Sequence, residues 1–396
     1  MFASLKALPA DPILGLLAKY RVDTNPKKID LGVGVYKNEA GETTVLNCVK
    51  KAEQHRTDTE TSKVYIGPTG SPLFNDEMAK LIFGIDHKVL TENRARTVST
   101  PGGTGALRVA AEFIKSCKAG ATIWVSNPTW ANHTGLFEAA GLIVKTYPYY
   151  DYENKTLDFD GMLAQLKQVS ADDAVLLHAC CHNPSGMDLT NEQWHQVADV
   201  AKSVGFTPVV DMAYQGFGQG LDEDAYGLRV MAESVNEMIV CSSCSKNFGL
   251  YRERIGGFTI IGESSLQADI AFSVVLSVVR VIYSMPPAHG AILVETILSS
   301  DELRNEWYRE LQEMRDRING NRQLLVDKLI EHGVTRDFSF ISRQAGMFSF
   351  LGITPEQVQQ LQDEYSIYMV DSSRMSIAGI ANSNVDYLAQ SIAKVL

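Results

Sequence analysis

Lys246 lies in a segment that combines a possible nucleophile with hydrogen-bond donors for an anion. The segment follows a β-branched stretch, so Lys246 is expected on the turn after a strand, where open α/β sheets present reactive groups to a ligand. A lysine in such a crevice loses hydration, which lowers its pKa and leaves a nucleophilic amine. Ser243 and Arg254 lie close to it in the sequence and can donate hydrogen bonds to a phosphate.

An amine that can link covalently to an aldehyde, beside donors for a phosphate, suits pyridoxal 5′-phosphate better than other common cofactors. A different interpretation is open at this point. Most lysines are solvated surface residues, and Ser-x-x-Lys with a nearby arginine arises often by chance. The rest of the chain has to decide between the two.

A glycine-rich segment between a candidate strand and a candidate helix offers a place for the phosphate. Gly103 lets the backbone approach a ligand closely, and Thr104 adds a hydroxyl at the start of the helix, where free N–H groups attract anions. The spacing matches neither the dinucleotide fingerprint nor the P-loop. A plain strand-to-helix turn is the alternative.

Three further strand ends carry suitable side chains. Asp211 can stay ionised against a pyridinium N–H, Tyr214 and Asn183 can hydrogen-bond a ring oxygen, and Trp130 can stack on a flat ring. Arg374, in the C-terminal part of the chain, is a candidate clamp for a carboxylate. Each signal is weak alone, because an Asp at a strand end is often a helix cap and Asn-Pro is a common turn. Five strand ends with suitable groups together favour one shared site.

Composition excludes several classes of protein. The 396 residues are 45% hydrophobic and 21% charged, as in ordinary globular proteins, and a net charge of −11 argues against a nucleic-acid surface. The longest apolar stretches, such as 272–279, are expected to be too short to span a bilayer. The N-terminus lacks a secretory signal pattern, so we expect a cytoplasmic protein. Six cysteines in a long acidic chain do not resemble a disulfide framework. Cys241 and Cys244 match C-x-x-C, but the context of a redox or zinc motif is missing, so we expect reduced core cysteines with no metal bound.

The alternation of strands and helices predicts an α/β fold, with a large domain built on a mostly parallel seven-stranded sheet flanked by helices. The predicted strands are 95–100, 122–126, 142–147, 174–179, 208–211, 238–242 and 257–261, and the predicted helices are 104–117, 159–169, 191–204 and 226–234. A helical pattern over 301–332, broken at Gly320, leads into short strands and helices that read as a smaller α+β domain. The expected domains are an N-terminal segment 1–45 that joins the small domain, a large cofactor-binding domain 46–305 and a small C-terminal domain 306–396.

At this point the chain resembles the fold-type I, class I aminotransferases, in the aspartate and aromatic amino-acid branch. The resemblance extends from Asp11 through Arg374 and thus over essentially the whole chain. Its specific motifs are Ser243-x-Ser245-Lys246-Asn247-Phe248-Gly249-Leu250-Tyr251-x-Glu253-Arg254, His182-Asn183-Pro184-Ser185-Gly186 and Tyr283-Ser284-x-Pro286-Pro287-Ala288-His289-Gly290.

The resemblance implies a role for each cofactor-site residue. Lys246 links covalently to pyridoxal 5′-phosphate and then moves a proton between the substrate and the cofactor, while Asp211 pairs with the pyridinium nitrogen. The ring is bound by Asn183, Tyr214 and Trp130, and the phosphate by Gly103, Thr104, Ser243, Arg254 and Tyr65 of the partner subunit. A homodimer with shared active sites follows from the same resemblance.

The resemblance also implies how substrates bind. Arg374 takes the α-carboxylate, the partner's Arg280 takes the distal carboxylate of dicarboxylic substrates, and Gly34 lines the substrate side. Met285 and Val64 stand where aspartate-type members often carry Asn, whereas Val35, Lys37 and Thr104 look aspartate-like. We therefore expect ping-pong transfer of an amino group between aromatic or dicarboxylic amino acids and 2-oxo acids such as 2-oxoglutarate. A strict aspartate aminotransferase is the alternative.

Other functions remain to be separated from transamination. A serine hydrolase would use the Ser-x-x-Lys pattern, but this chain has neither S-D-N nor K-T-G. A decarboxylase or β-eliminating enzyme would keep the cofactor, although Arg280 and Arg374 together favour transamination. A binding protein that kept the fold without catalysis would have little reason to keep both Lys246 and Asp211.

Overall fold

The structure is a computed structural model that describes residues 2–7 and 12–396. Asp11, where the family resemblance begins, and part of the predicted N-terminal segment lie outside the described residues. The α-helices are α1 Pro12–Val22, α2 Asn47–Thr59, α3 Pro72–Phe83, α4 Lys88–Thr91, α5 Gly102–Cys117, α6 Asn132–Ala140, α7 Phe159–Leu166, α8 Asn191–Val204, α9 Tyr226–Ser234, α10 Ser265–Ile282, α11 His289–Ser299, α12 Asp301–Glu331, α13 Pro355–Tyr365 and α14 Val385–Val395. The strands are β1 Ile29–Asp30, β2 Ala95–Pro101, β3 Thr122–Asn127, β4 Ile143–Pro148, β5 Tyr150–Asp151, β6 Thr156–Leu157, β7 Ala174–His178, β8 Thr207–Met212, β9 Met238–Ser243, β10 Ile255–Ile261, β11 Phe348–Phe350, β12 Ile367–Tyr368 and β13 Arg374–Ser376.

The chain divides into two compact units. One comprises residues 1–42, 318–343 and 347–396, and the other comprises 43–317 and 344–346. The domain boundaries expected from the sequence, at 45 and 305, stay a prediction.

A seven-stranded sheet organises the larger unit, in the order β2-β10-β9-β8-β7-β3-β4. All seven strands predicted from the sequence are present, with ends that differ by one or two residues. β9, β8, β7, β3 and β4 pair in parallel, and β10 is antiparallel to both of its neighbours. The prediction of a mostly parallel sheet is confirmed.

The antiparallel strand β10 decides where Arg254 lies. Gly256 pairs with Ser243 of β9, and Ile255 pairs with Pro101 of β2, so the start of β10 lies beside the ends of both neighbours. Arg254 immediately precedes β10 and is therefore brought to the carboxyl edge of the sheet.

The central strands are buried on both faces, which explains their continuous apolar sequences. Every residue of β9 and β10 is buried, and α5 packs its apolar face over them through side chains such as Leu107 and Ile114. Each such side chain contributes roughly 1.5–3 kcal/mol when fully buried. This core fixes the strand ends that carry the polar residues.

The long helix α12 corrects one expectation. The sequence predicted a break at Gly320, but the helix runs unbroken over its 31 residues. Gly320 is exposed, and a Cβ added there would meet nothing within 4 Å. An exposed glycine costs a helix only about 1 kcal/mol, which the neighbouring turns easily outweigh.

Helix α10 corrects another expectation. Its 18 residues are long and apolar enough to cross a membrane by length and composition, although one such helix is weak evidence. The apolar stretch expected from the sequence, 272–279, was ended at serines, but a helix can contain serine and continue past it. Only 17% of the helix is buried, and it exposes Leu266, Ile270, Val274 and Val281.

The smaller unit is built from short strand pairs and helices. β1 pairs in parallel with β12, and β11 pairs antiparallel with β13. Arg322 is fully buried and donates hydrogen bonds to the carbonyl oxygens of Ile341 and Phe348, which anchors β11. α13 packs on α14.

Candidate active site

A cavity of about 230 Å³ lies at the carboxyl edge of the seven-stranded sheet. Its walls include nine of the residues that the sequence singled out: Gly103, Thr104, Trp130, Asn183, Asp211, Tyr214, Ser243, Lys246 and Arg254. Leu107, His178, Ala213 and Ser245 complete the lining. Residues from four strand ends and one helix start therefore meet in a single place.

Lys246 occupies the turn after β9, as predicted. Its Nζ lies 4.9 Å from the centroid of the Tyr214 ring. Burial lowers the pKa of Lys246 to about 8, with Asp211 opposing the shift and Arg254 reinforcing it. About a tenth of this amine is then neutral at pH 7, far more than for an exposed lysine. The group is suited to nucleophilic and acid–base work.

Asp211 is the penultimate residue of β8 and is buried. Burial pushes the pKa of its carboxyl upward, but a hydrogen bond from His133 and nearby positive charge prevail and hold the pKa below its usual range. His133 Nε2 lies 3.2 Å from Asp211 Oδ2. The carboxylate therefore stays ionised and can hold a proton on a ring nitrogen.

His133 is a functional residue that the sequence analysis missed. Its Nδ1 lies 2.7 Å from Thr129 Oγ1, which in turn lies 3.3 Å from His178 Nε2. An ionised carboxylate can only accept hydrogen bonds. His133 Nε2 must therefore carry the hydrogen and donate this bond to Asp211. Burial lowers the pKa of His178 to about 3, with His133 adding to the shift, so this imidazole stays neutral. The only signal in the sequence was the position of His133 three residues after Trp130.

The opposite end of the cavity is arranged for a phosphate. α5 begins at Gly102, two residues earlier than predicted, so Gly103 and Thr104 lie in its first turn, where N–H groups lack helical partners. Gly102 has φ +71°, and a Cβ there would lie 2.4 Å from Arg254 Nη2. Arg254 Nη1 donates to Ser245 Oγ at 3.3 Å, which orients the guanidinium.

Asn183 provides a test of whether a cofactor fits this cavity. Its side-chain Oδ1 is buried and, among the described residues, has no hydrogen-bond partner. Leaving such an atom unpaired costs about 1–3 kcal/mol, and a polar ligand that fills the cavity removes the cost. With Lys246, Asp211 and the phosphate donors, the residues present fit pyridoxal 5′-phosphate.

Two predicted site residues of the larger unit lie outside the cavity lining. Tyr65 is 88% exposed, and Arg280, near the end of α10, is also exposed. Arg280 donates a hydrogen bond from Nη1 to Ser284 Oγ of the same chain. Arg280 therefore has a polar partner within its own chain.

Gly34 and Arg374 belong to the smaller unit, where both contact Phe348. The Arg374 guanidinium lies 4.3 Å from the centroid of the Phe348 ring, and its Nη2 donates to the Gly32 carbonyl oxygen at 2.8 Å. A Cβ on Gly34 would lie 2.7 Å from Phe348 Cζ. Glycine is thus required by the ring that supports Arg374.

A cysteine cluster elsewhere in the larger unit was also considered as a metal site. Cys180, Cys181 and Asp224 bring potential ligand atoms within 4.8 Å of one another. Asp224 Oδ2 already accepts backbone hydrogen bonds from Gly216 and Gly218 at 2.8 and 2.9 Å. None of the six cysteines, all of which lie in the described residues, forms a disulfide, and Cys117 is exposed rather than in the core as expected.

This fold and this cavity define an α/β enzyme that works with pyridoxal phosphate, in which a lysine follows one strand and a buried aspartate ends another. The chain belongs to the aminotransferase class I and II family, whose model matches residues 26–392.

The chain is 51% identical over 396 residues to an aspartate aminotransferase of Escherichia coli (strain K12), with all of both chains covered. It is 46% identical over 394 residues to an aromatic-amino-acid aminotransferase of Pseudomonas aeruginosa, covering 100% of this chain and 98% of the relative. Among solved structures, the aromatic-amino-acid aminotransferase from Burkholderia pseudomallei, covalently bound to pyridoxal phosphate, matches with a TM-score of 0.98 and 42% identity, covering 100% of this chain and 99% of the other.

These findings confirm the family resemblance and the cofactor. The protein is a pyridoxal-phosphate-dependent transaminase. The serine hydrolase interpretation is not favoured, because Lys246 lies in the same cavity as Asp211 and the whole chain aligns with aminotransferases.

Proposed function

We propose that this transaminase moves amino groups between aromatic or dicarboxylic amino acids and 2-oxo acids such as 2-oxoglutarate, in a ping-pong cycle. The observation that carries the transfer chemistry is the buried Lys246, with its lowered pKa, in the same cavity as the ionised Asp211. Relatives named for each of the two substrate classes support the breadth.

When bound, pyridoxal phosphate supplies an electron sink for negative charge that develops on the substrate α-carbon. The residues of the chain supply the rest. Asp211 holds the proton on the ring nitrogen, and His133 keeps Asp211 in place and ionised. Lys246 would act as general acid–base, taking the proton from the substrate Cα and returning it to the cofactor.

The remaining cavity residues position the cofactor. The first turn of α5, at Gly103 and Thr104, together with Ser243 and Arg254, binds the phosphate by charge and by hydrogen bonds. Tyr214 and Asn183 would hydrogen-bond the ring oxygen, and the Trp130 indole would stack on the ring.

Arg374 is proposed to bind the substrate α-carboxylate. Its contact with the Phe348 ring and its hydrogen bond to Gly32 fix the direction of the guanidinium. A fixed planar fork can donate two parallel hydrogen bonds to a carboxylate. Gly34 supports this arrangement, because any larger side chain there would displace Phe348.

A homodimer with shared active sites is proposed from the family resemblance. Tyr65 of the partner subunit would reach the phosphate, and the partner's Arg280 would reach the distal substrate carboxylate. The strong exposure of Tyr65 and of Val281, which is next to Arg280, supports this arrangement. A surface of that kind is typical of an interface.

Heterodimers test the sharing directly. Lys246→Ala and Arg280→Ala chains are each expected to be inactive with a dicarboxylic substrate. A verified heterodimer would contain one site with both residues intact, so part of the activity should return. Homodimers of each variant mixed without subunit exchange serve as the control. No recovery in verified heterodimers would show that each subunit is self-contained.

The distal pocket decides the breadth of substrates. An arginine left unpaired beside an aromatic side chain is costly, unless it can turn toward water. Met285 and Val64 cannot hydrogen-bond Arg280, and methionine can repack around a ring. The bond from Arg280 to Ser284 limits this freedom in part, because it must break when the guanidinium turns away.

Specificity constants for aspartate and phenylalanine test the breadth. Arg280→Ala should damage aspartate turnover far more than phenylalanine turnover. Met285→Asn should shift the preference toward aspartate by ~1–2 kcal/mol, which is typical of one hydrogen bond. Negligible wild-type activity with phenylalanine and tyrosine would leave a strict aspartate aminotransferase.

The cellular location and the domain boundaries are two further proposals. A cytoplasmic location is expected from the family resemblance, and fractionation of cells that express the native chain would test it. Domains at 1–45, 46–305 and 306–396 predict first cleavages near 45 and 305 in limited proteolysis. Fragments cut elsewhere would revise the boundaries.

A further inference from the structure

A second cavity, of about 380 Å³, lies at the amino edge of the same seven-stranded sheet. β7, β8 and β9 begin beside it, β10 ends there, and it is flanked by the end of α5 and the start of α10. It shares no lining residue with the cofactor cavity. Its volume lies in the range of small-molecule sites, roughly 300–1,000 Å³.

Most of the lining is apolar. Ile239, Ile260 and Ile261 come from adjoining strands and are almost completely buried, while Ile270 and Ala271 come from α10. Ile270 is 52% exposed although it borders this cavity. An apolar molecule that entered would remove part of this surface from water, at about 25 cal/mol per Å².

One wall of the cavity carries a buried carboxylate. Asp173 is only 8% exposed, and its Oδ2 accepts a hydrogen bond from Trp124 Nε1 at 2.9 Å. In the part of the chain that the structure describes, no donor reaches the side-chain Oδ1. This oxygen is not among the fully enclosed atoms of the structure, so solvent reaches it, and a ligand N–H could take the place of water there.

The surrounding charge favours a positive ligand. Asp172 and Glu237 also line the cavity, and its one lysine, Lys118, is paired with Asp172 at 3.1 Å. The carboxylates of Asp173 and Glu237 therefore have no cationic partner in the lining. α5 ends at Cys117, also in the lining, and the carbonyl groups of a helix end add negative potential.

We propose that this amino-edge cavity binds a small organic cation with an aryl or alkyl body and an ammonium group that pairs with Asp173. The apolar body would lie against the isoleucines, and an N–H would donate to the open oxygen of the carboxylate. The assignment does not depend on the substrates proposed for the cofactor site.

A tertiary amine separates this site from the cofactor site. N,N-dimethylbenzylamine is protonated at pH 7, keeps one N–H and cannot condense with an aldehyde. Titrated into the holoenzyme in a calorimeter, it should bind saturably with one molecule per chain. It should also change the fluorescence of Trp124, the partner of Asp173. Benzyl alcohol, which lacks the charge, should bind ~10-fold more weakly or worse.

Two carboxylate variants provide the matched test. Asp173→Asn should weaken binding of the amine at least ~10-fold, because a buried charged hydrogen bond is lost. Asp172→Asn removes the same charge from an exposed neighbour that is already paired with Lys118, and should change affinity by no more than about twofold. Equal weakening in both variants would show nonspecific attraction to a negative surface and would overturn the proposal.

A third variant protects the test against a loss of stability in Asp173→Asn. Ala271→Phe, on the α10 side, should fill the cavity and abolish binding of the amine while leaving turnover of amino acids unchanged. Sedimentation with and without the amine shows whether a second copy of the chain covers α10 instead. Three results would each refute the site. They are the absence of saturable binding at millimolar amine, unchanged binding in Ala271→Phe, and binding to dissociated chains alone.

Discussion

The two edges of the seven-stranded sheet are built from the same strands but differ in chemistry. The carboxyl edge gathers Lys246, Asp211 and His133 into one buried polar network. The amino edge is lined mainly by apolar side chains such as isoleucines, and Asp173 is a buried charged residue there. In a parallel sheet the helices start at one edge and end at the other, so free N–H groups meet at the first and free carbonyl groups at the second. The difference teaches that opposite edges favour ligands of opposite charge.

The edges also differ in what their residues cost the fold. At the carboxyl edge burial lowers the pKa values of Lys246 and His178, which means that the charged forms are disfavoured in the folded protein. The apolar strand residues near the amino edge, such as Ile260, contribute stability by burial alone. Substitutions at the first edge should therefore remove activity, and those at the second should remove stability.

The largest effect is expected from Lys246→Ala. The variant should still bind the cofactor through the phosphate donors and Asp211, but loss of the general acid–base should slow turnover ~10²–10⁴-fold or more. Steady-state rates and the absorbance of bound cofactor measure the two effects separately. Wild-type turnover in Lys246→Ala would remove this residue from the mechanism.

A smaller but still large effect is expected at Asp211. Asp211→Ala should weaken cofactor binding and slow removal of the Cα proton by at least ~10–10²-fold, because a charge-assisted hydrogen bond is lost. Asp211→Glu keeps the charge with altered geometry and should be milder. Substrate labelled with deuterium at Cα reports the proton-transfer step. Equal and small effects of both substitutions would contradict the proposed ion pair.

The pH dependence of cofactor capture tests the environment of Lys246. Its pKa is lowered to about 8, so the neutral amine should increase as the pH rises and level off above about 8. In enzyme freed of cofactor, the rate of covalent capture should rise about tenfold between pH 6 and 7, about fivefold more between pH 7 and 8, and then flatten. A simple alkylamine, whose pKa is near 10.4, should continue to accelerate past pH 9. If the enzyme showed the same pH dependence as the alkylamine, burial would not lower the pKa of Lys246.

The smallest effect is expected at the amino edge. Ile260→Val removes one buried methylene and should lower the free energy of unfolding by 0.5–1.5 kcal/mol, as is typical of such changes. Ile270→Val on the exposed face of α10 is the matched control and should stay within about 0.5 kcal/mol. Denaturant titration measures the free energies of unfolding. Turnover per folded molecule should be unchanged in both variants. A loss of turnover in Ile260→Val would contradict the claim that the amino edge contributes to stability rather than to activity.

Local sequence determined the seven strands and the residues at their ends. Strand and turn patterns depend on neighbours within a few positions, so Lys246, Asp211 and Asn183 could be placed without a structure. The same locality explains two errors. The exposed Gly320 looked like a helix break, and the serines of α10 looked like the end of an apolar segment.

Tertiary structure alone decided the partners of those residues. His133 reaches Asp211 across 78 positions of sequence, and Arg254 reaches the cofactor cavity because β10 inserts antiparallel between β2 and β9. The amino-edge cavity around Asp173 likewise arises where the ends of several elements meet. Strand order and register set these contacts through long-range packing, and no periodicity in the sequence encodes them.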